Sequence, residues 1–141
     1  GAAAAIIAAA EEPLIEAVVA DSSFANLEEY LSVNLPYWSN LPDVPFTKVI
    51  LTLLPTIADM KLNIVSPRDA VSQLGIHLLL IHGDGDTAIP YQNSEEIFAQ
   101  ADSNLTELWV PSGSGHVKAY SDYKVEYVER VVQFLEKSLS R

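Results

Sequence analysis

Residues 76–90, Ile-His-Leu-Leu-Leu-Ile-His-Gly-Asp-Gly-Asp-Thr-Ala-Ile-Pro, constrain the fold of this chain more than any other stretch. Leu78 to Ile81 form an unbroken apolar run, the pattern of a strand covered on both faces inside a parallel sheet. Gly83 and Gly85 then punctuate a turn that presents Asp84 and Asp86 at the strand's C-terminal end, where open α/β sheets place their chemistry. Further on, Gly113-Ser114-Gly115-His116 stands behind a second apolar strand, Leu108-Trp109-Val110. A carboxylate and an imidazole at the ends of two neighbouring parallel strands suit two of the three groups of a catalytic triad.

Composition narrows the class. A chain of 141 residues with 49% hydrophobic and 19% charged residues can bury a core and is one domain at most. Nineteen acidic against eight basic residues, a formal charge of −11, repel nucleic acid and anionic lipid, and no basic run reverses this locally. With no cysteine there is no disulfide, thiolate metal site or thiol nucleophile, which is compatible with a cytoplasmic address without fixing the compartment. The apolar stretch Ala2 to Ala10 lacks the preceding basic segment of a signal peptide, and Val49 to Leu54 falls short of the ~20 residues of a spanning helix. No membrane segment is expected.

Taken in order, Gly1 to Ala10 reads as an alanine helix able to lie close to a sheet, ended by Glu12-Pro13. Ile15 to Ala20 reads as a strand, followed by Asp21 or Ser22 capping a helix from Phe24 to about Val33. Pro36, Pro42, Pro45 and Pro55 should break Leu35 to Leu62 into short helical pieces, a cap over the sheet edge. Ser66-Pro67 opens a short helix that stops at Gly75. Asn93 or Ser94 caps a helix from Glu95 to about Ala101, and Leu105 to Pro111 is the next strand. In the last helix Val125, Val128, Val132, Leu135 and Leu139 step by helical intervals and are expected to form its buried stripe. Strand–helix alternation of this kind gives right-handed crossovers and a parallel sheet between two helical layers.

The blocks Val18-Val19-Ala20-Asp21-Ser22-Ser23-Phe24, Leu79 to Pro90 and Gly113 to His116 resemble the C-terminal half of an α/β-hydrolase. The likeness is to the esterase and peptidase branch that includes prolyl-oligopeptidase-like and dienelactone-hydrolase-like enzymes. The acid turn of that family reads H-G-x-x-D-x-x-V-P, with Ile89 here in place of the valine. The resemblance implies a three-layer αβα sandwich, a single partial domain over 1–141 with a small helical cap at 35–62. It also implies Asp86 as triad acid and His116 as general base. Asp21 is the alternative acid, since some α/β-hydrolases take it from the preceding strand.

No G-x-S-x-G elbow occurs in the chain. If the alanine helix is the one that follows the elbow, Gly1 is the elbow's last glycine and the serine lies two residues before it. The resemblance therefore implies a serine hydrolase of ester, thioester or amide bonds, using no cofactor, of which this chain carries the acid and the base and is inactive alone. Tyr37, Trp38 and Phe46 would shape the substrate pocket. His82 is expected to support the acid turn, His77 to lie far from the reactive edge, and the three histidines not to form a metal site. Ser22 lacks the strained elbow of a nucleophile. The other function class is a non-catalytic hydrolase-like module used in binding or assembly. In either case the Ile15–Ala20 edge is expected to pair with a second copy or with the missing N-terminal half.

Overall fold

The computed structural model describes residues 1–59 and 61–140. Three parallel strands form one sheet in the order β1 (Ala17–Asp21), β2 (His77–Ile81) and β3 (Thr106–Trp109). Ala17 faces His77 and Asp21 faces Ile81 across the first pair, and Leu78 faces Thr106 across the second. All three C-terminal ends therefore meet along one edge of the sheet.

Side chains alternate across the strands, so each strand feeds two cores. Val18, Ala20, Leu78 and Leu80 pack with Ile6 and Ala9 of α1 (Ala2–Glu11), with Val71 and Leu74, and with Ile97 of α5 (Gln92–Gln100). Leu79, Ile81 and Trp109 point to the other face, where Ala119 of α6 (Ala119–Asp122) and Phe134 of α7 (Lys124–Leu139) cover them. Helices on both faces of a parallel sheet make the three-layer α/β sandwich expected from the sequence. The alanines of α1 permit its close approach: Ala3, Ile6 and Ala9 are buried, and only Ile6 brings bulk.

Contacts divide the chain into two compact units, one of residues 1–25 and 67–141 and the other of 26–66. The first holds the sheet. The second holds α2 (Leu27–Ser39), α3 (Asp43–Ile57) and a 3₁₀ turn at Leu62–Ile64. Its start is set by Asn26, whose side chain accepts from the Glu29 amide at 3.1 Å and caps α2. The cap is thus Asn26 and not Asp21 or Ser22, which stay with the strand end. The prolines interrupt this unit less than expected. Pro36 and Pro55 sit inside α2 and α3 near their C-terminal ends, where each removes one hydrogen bond. Pro45 has the larger effect, because Val44 before it leaves helical geometry (φ −103°, ψ 128°).

In the first unit, α4 (Pro67–Ala70) starts on its proline and passes into a 3₁₀ turn at Val71–Gln73. α5 begins at Gln92, earlier than expected, with Tyr91 at the N-cap and no side-chain cap bond. Asn93 and Ser94 bond elsewhere, as described below. The stripe of α7 is the largest revision. Val125, Val128, Val132 and Leu139 are exposed; of the expected stripe only Leu135 packs inward, and the helix buries Phe134 with Leu135, Tyr127 and Val131 around it. An aromatic face packs on the Trp109 side of the sheet, and Arg130 lies over the Trp109 ring at 4.9 Å. Among the described residues no helix is long and apolar enough to cross a membrane.

Candidate active site

Strand ends become a site because their turns are tied to one another. The sheet ladder runs on past the strands: Ser22 N–H donates to Ile81 O at 2.9 Å, and His82 N–H donates to Trp109 O at 3.1 Å. Beyond it, the Gly85 amide donates to Ser114 O at 3.0 Å. The Asp84 carboxylate accepts from the Gly113 amide and from Ser112 Oγ. Gly83 is required by this contact, since a Cβ there would lie 2.1 Å from Ser114 O. Gly113 takes a positive φ of 73°, which lets the loop turn back toward the acid turn. Ser114 is buried, and its hydroxyl donates to Asp122 Oδ2 at 2.7 Å, pinning the same loop to α6.

These ties bring Asp86 and His116 together. His116 Nδ1 lies 2.8 Å from Asp86 Oδ2. The carboxylate can only accept, so the proton of the neutral ring sits on Nδ1 and Nε2 carries the lone pair. The His116 side chain is 42% exposed, and among the described residues Nε2 has no hydrogen-bond partner. Asp86 itself is buried. Its Oδ1 accepts from the Ala88 and Ile89 amides, both at 2.8 Å, and its Oδ2 also lies 3.2 Å from His82 Nε2. Burial pushes the Asp86 carboxyl up, but the Ile89 amide, His116 and the Ala88 amide outweigh it, and the group ionises below the ordinary aspartate range.

His82 is wholly buried and clamps the acid turn from beneath. Its Nε2 lies 2.8 Å from the Ile89 carbonyl, which can only accept, so Nε2 carries the proton and is shared with Asp86. Nδ1 then accepts from Ser94 Oγ at 2.7 Å. Ser94, read from sequence as a possible helix cap, is thus a buried partner of His82. Asn93 accepts from the Ala25 amide at 3.0 Å and ties α5 to the segment leaving β1. Neither role has a local sequence signal, because both partners lie in other elements or behind a turn.

Asp21 ends β1 at the same edge but bonds differently. Its carboxylate accepts from Ser22 Oγ at 2.9 Å and from the Tyr127 hydroxyl at 3.5 Å, and no histidine donates to it among the described residues. Burial holds the Asp21 carboxyl above the ordinary range, against the pull of Ser22, His82, Tyr127 and His116. Burial and the Asp21 charge together push the Tyr127 phenol up. His77 lies at the opposite end of β2, edge-on to Phe134. Among the described residues no cluster of histidine and carboxylate side chains could hold a metal ion. In the second unit Trp38 stands edge-on to Tyr30 at 5.6 Å, and Tyr37, Trp38 and Phe46 all expose their rings.

Comparison with known proteins gives the arrangement a family. The model of the prolyl oligopeptidase family matches residues 1–141. The YfhR protein of Escherichia coli K12 is 30% identical over 127 residues, covering 89% of this chain and 38% of its own length. YfhR of Salmonella typhi is 28% identical over 132 residues, covering 93% of this chain and 39% of its own. The chain thus spans about two fifths of the length of the curated relatives it matches. Among solved structures, an esterase of Pyrococcus furiosus superposes with a TM-score of 0.73 at 22% identity, over 99% of this chain and 51% of that one. A puromycin-hydrolysing peptidase of Mycobacterium tuberculosis gives 0.69 at 16% identity, over 96% of this chain and 20% of that one. The chain belongs to the prolyl oligopeptidase family and has an α/β-hydrolase fold.

Proposed function

We propose that this chain supplies the general base and the acid of a serine hydrolase that cleaves an ester, thioester or amide by acyl transfer. The nucleophilic serine would come from residues preceding Gly1. The observation that carries the reading is the 2.8 Å contact between His116 Nδ1 and Asp86 Oδ2, at the C-terminal edge of a parallel sheet in a chain of this family. With Nδ1–H committed to the carboxylate, Nε2 is the basic atom and can take the proton of a serine hydroxyl as it attacks a carbonyl. The imidazolium so formed is stabilised by the buried Asp86 charge and then protonates the leaving group. Four donors around Asp86 keep that carboxylate ionised and oriented, which favours Asp86 over Asp21 as the acid.

The reaction needs no cofactor. The substrate would be a small ester or peptide. The test is hydrolysis of p-nitrophenyl acetate by the full-length protein beside its His116→Ala variant and beside residues 1–141 alone. Loss of activity in the variant and none from 1–141 is the expected pattern. Hydrolysis by 1–141 that depends on His116 would show that the nucleophile lies within it.

A further inference from the structure

Val117 follows the candidate base and holds a backbone φ of 53°, in the left-handed region that a β-branched residue rarely enters. Ser22, at the end of β1, holds a φ of 59°. The two outliers are 95 residues apart in the chain and are joined: the Val117 amide donates to Ser22 Oγ at 3.2 Å. Ser22 is buried, and its hydroxyl proton is directed to Asp21 Oδ1 at 2.9 Å, which leaves its lone pairs for the Val117 amide. Asp21 is in turn within reach of the Tyr127 hydroxyl on α7. The His116–Val117 peptide is therefore held from β1 while the His116 ring is held from the β2 turn by Asp86. Strain of this kind persists only where the surroundings over-determine it.

We infer that Ser22 is a positioning residue: its hydroxyl, oriented by Asp21, holds Val117 in the left-handed conformation and so fixes the direction of the His116 ring. Ser22 touches no reacting atom in this role. Its hydroxyl lone pairs face a backbone amide and its proton faces a carboxylate, so it is not the nucleophile. Without the Ser22 acceptor, Val117 relaxes toward ordinary φ and the loop carries His116 away from its working geometry. Substrate binding is left alone, so the loss falls on kcat and not on KM. The inference rests on the reading of His116 as the base.

The experiment is a mutant cycle in the full-length protein with p-nitrophenyl acetate as probe. Ser22→Ala should lower kcat about tenfold with KM changed less than about twofold, the cost of a small misplacement of a catalytic group. The Ser22→Ala loss should shrink to less than about threefold in a Val117→Asn background, because asparagine tolerates the left-handed region. Val117→Gly gives the same background without a side chain. Wild-type kcat in Ser22→Ala, or an undiminished loss in both Val117 backgrounds, would overturn the inference. His116→Ala runs beside them: if it keeps full activity, the assignment of the base has failed and not merely the role of Ser22.

Discussion

At the scale of single residues, Asp86 is the best-anchored group of the site, and its environment sets a pH dependence. Its carboxyl ionises below the ordinary aspartate range in the folded chain. A depressed value stabilises the fold above the unfolded aspartate pKa of about 3.9, and that stability is lost as pH falls through the lower folded value. Asp21 works in the opposite direction: its raised pKa means that the fold binds the Asp21 proton more tightly than the unfolded chain. Acid unfolding followed by circular dichroism should therefore be less steep below pH about 4 in Asp86→Asn than in wild type. Coincident acid limbs would contradict the assignment. Asp86 and His116 were legible from the glycine-punctuated turns behind two apolar strands. The partners of Asp21, Ser22 and Ser94 were not, because serine beside a strand or helix end reads first as a cap. The left-handed backbone of Val117 has no sequence signal at all, since valine is among the residues least suited to it.

At the scale of elements, α7 shows how periodicity can mislead. Two apolar stripes share that helix, one of Val125, Val128, Val132 and Leu139 and one built on Tyr127, Val131, Phe134 and Leu135. The second packs on the sheet: Tyr127 stands edge to face with Trp109 at the end of β3, as does Tyr123 just before the helix, and Phe134 stands edge-on to His77. Phe134→Ala should then cost about 3–5 kcal/mol in urea unfolding. Val132→Ala, on the exposed stripe, should stay within about 0.5 kcal/mol. Equal effects would mean that the stripes had been assigned the wrong way round. The two glycine turns are a second element-scale device. Gly83→Ala puts a methyl group 2.1 Å from a backbone carbonyl, and the loops carrying Asp86 and His116 must part to admit it. A loss of roughly 1–3 kcal/mol in stability is expected from such overpacking. It should be accompanied by a fall in ester hydrolysis by the full-length protein larger than the change in folded fraction explains.

For the whole molecule, the layering was readable because strands, helices and turns alternate in a pattern that only a parallel sheet accommodates. The proline-rich segment was harder, since a proline near a helix C-terminus costs one hydrogen bond and does not end the helix. Among the described residues β1 is an edge of the sheet, and its neighbour on one side is β2. We propose that this edge pairs with a further strand, from a second copy or from residues preceding Gly1, because an apolar edge seldom stays bare. Sedimentation of residues 1–141 should show self-association that disappears when the preceding residues are present. A stable monomer at high concentration would count against the proposal.

The central claim is that His116 and Asp86 serve a serine outside residues 1–141. Fluorophosphonate labelling of the full-length protein, with the modified peptide identified by mass spectrometry, tests it most directly. The label should fall on a serine preceding Gly1 and should be lost in His116→Ala. A label on Ser22 or Ser114, or labelling unchanged without His116, would contradict it.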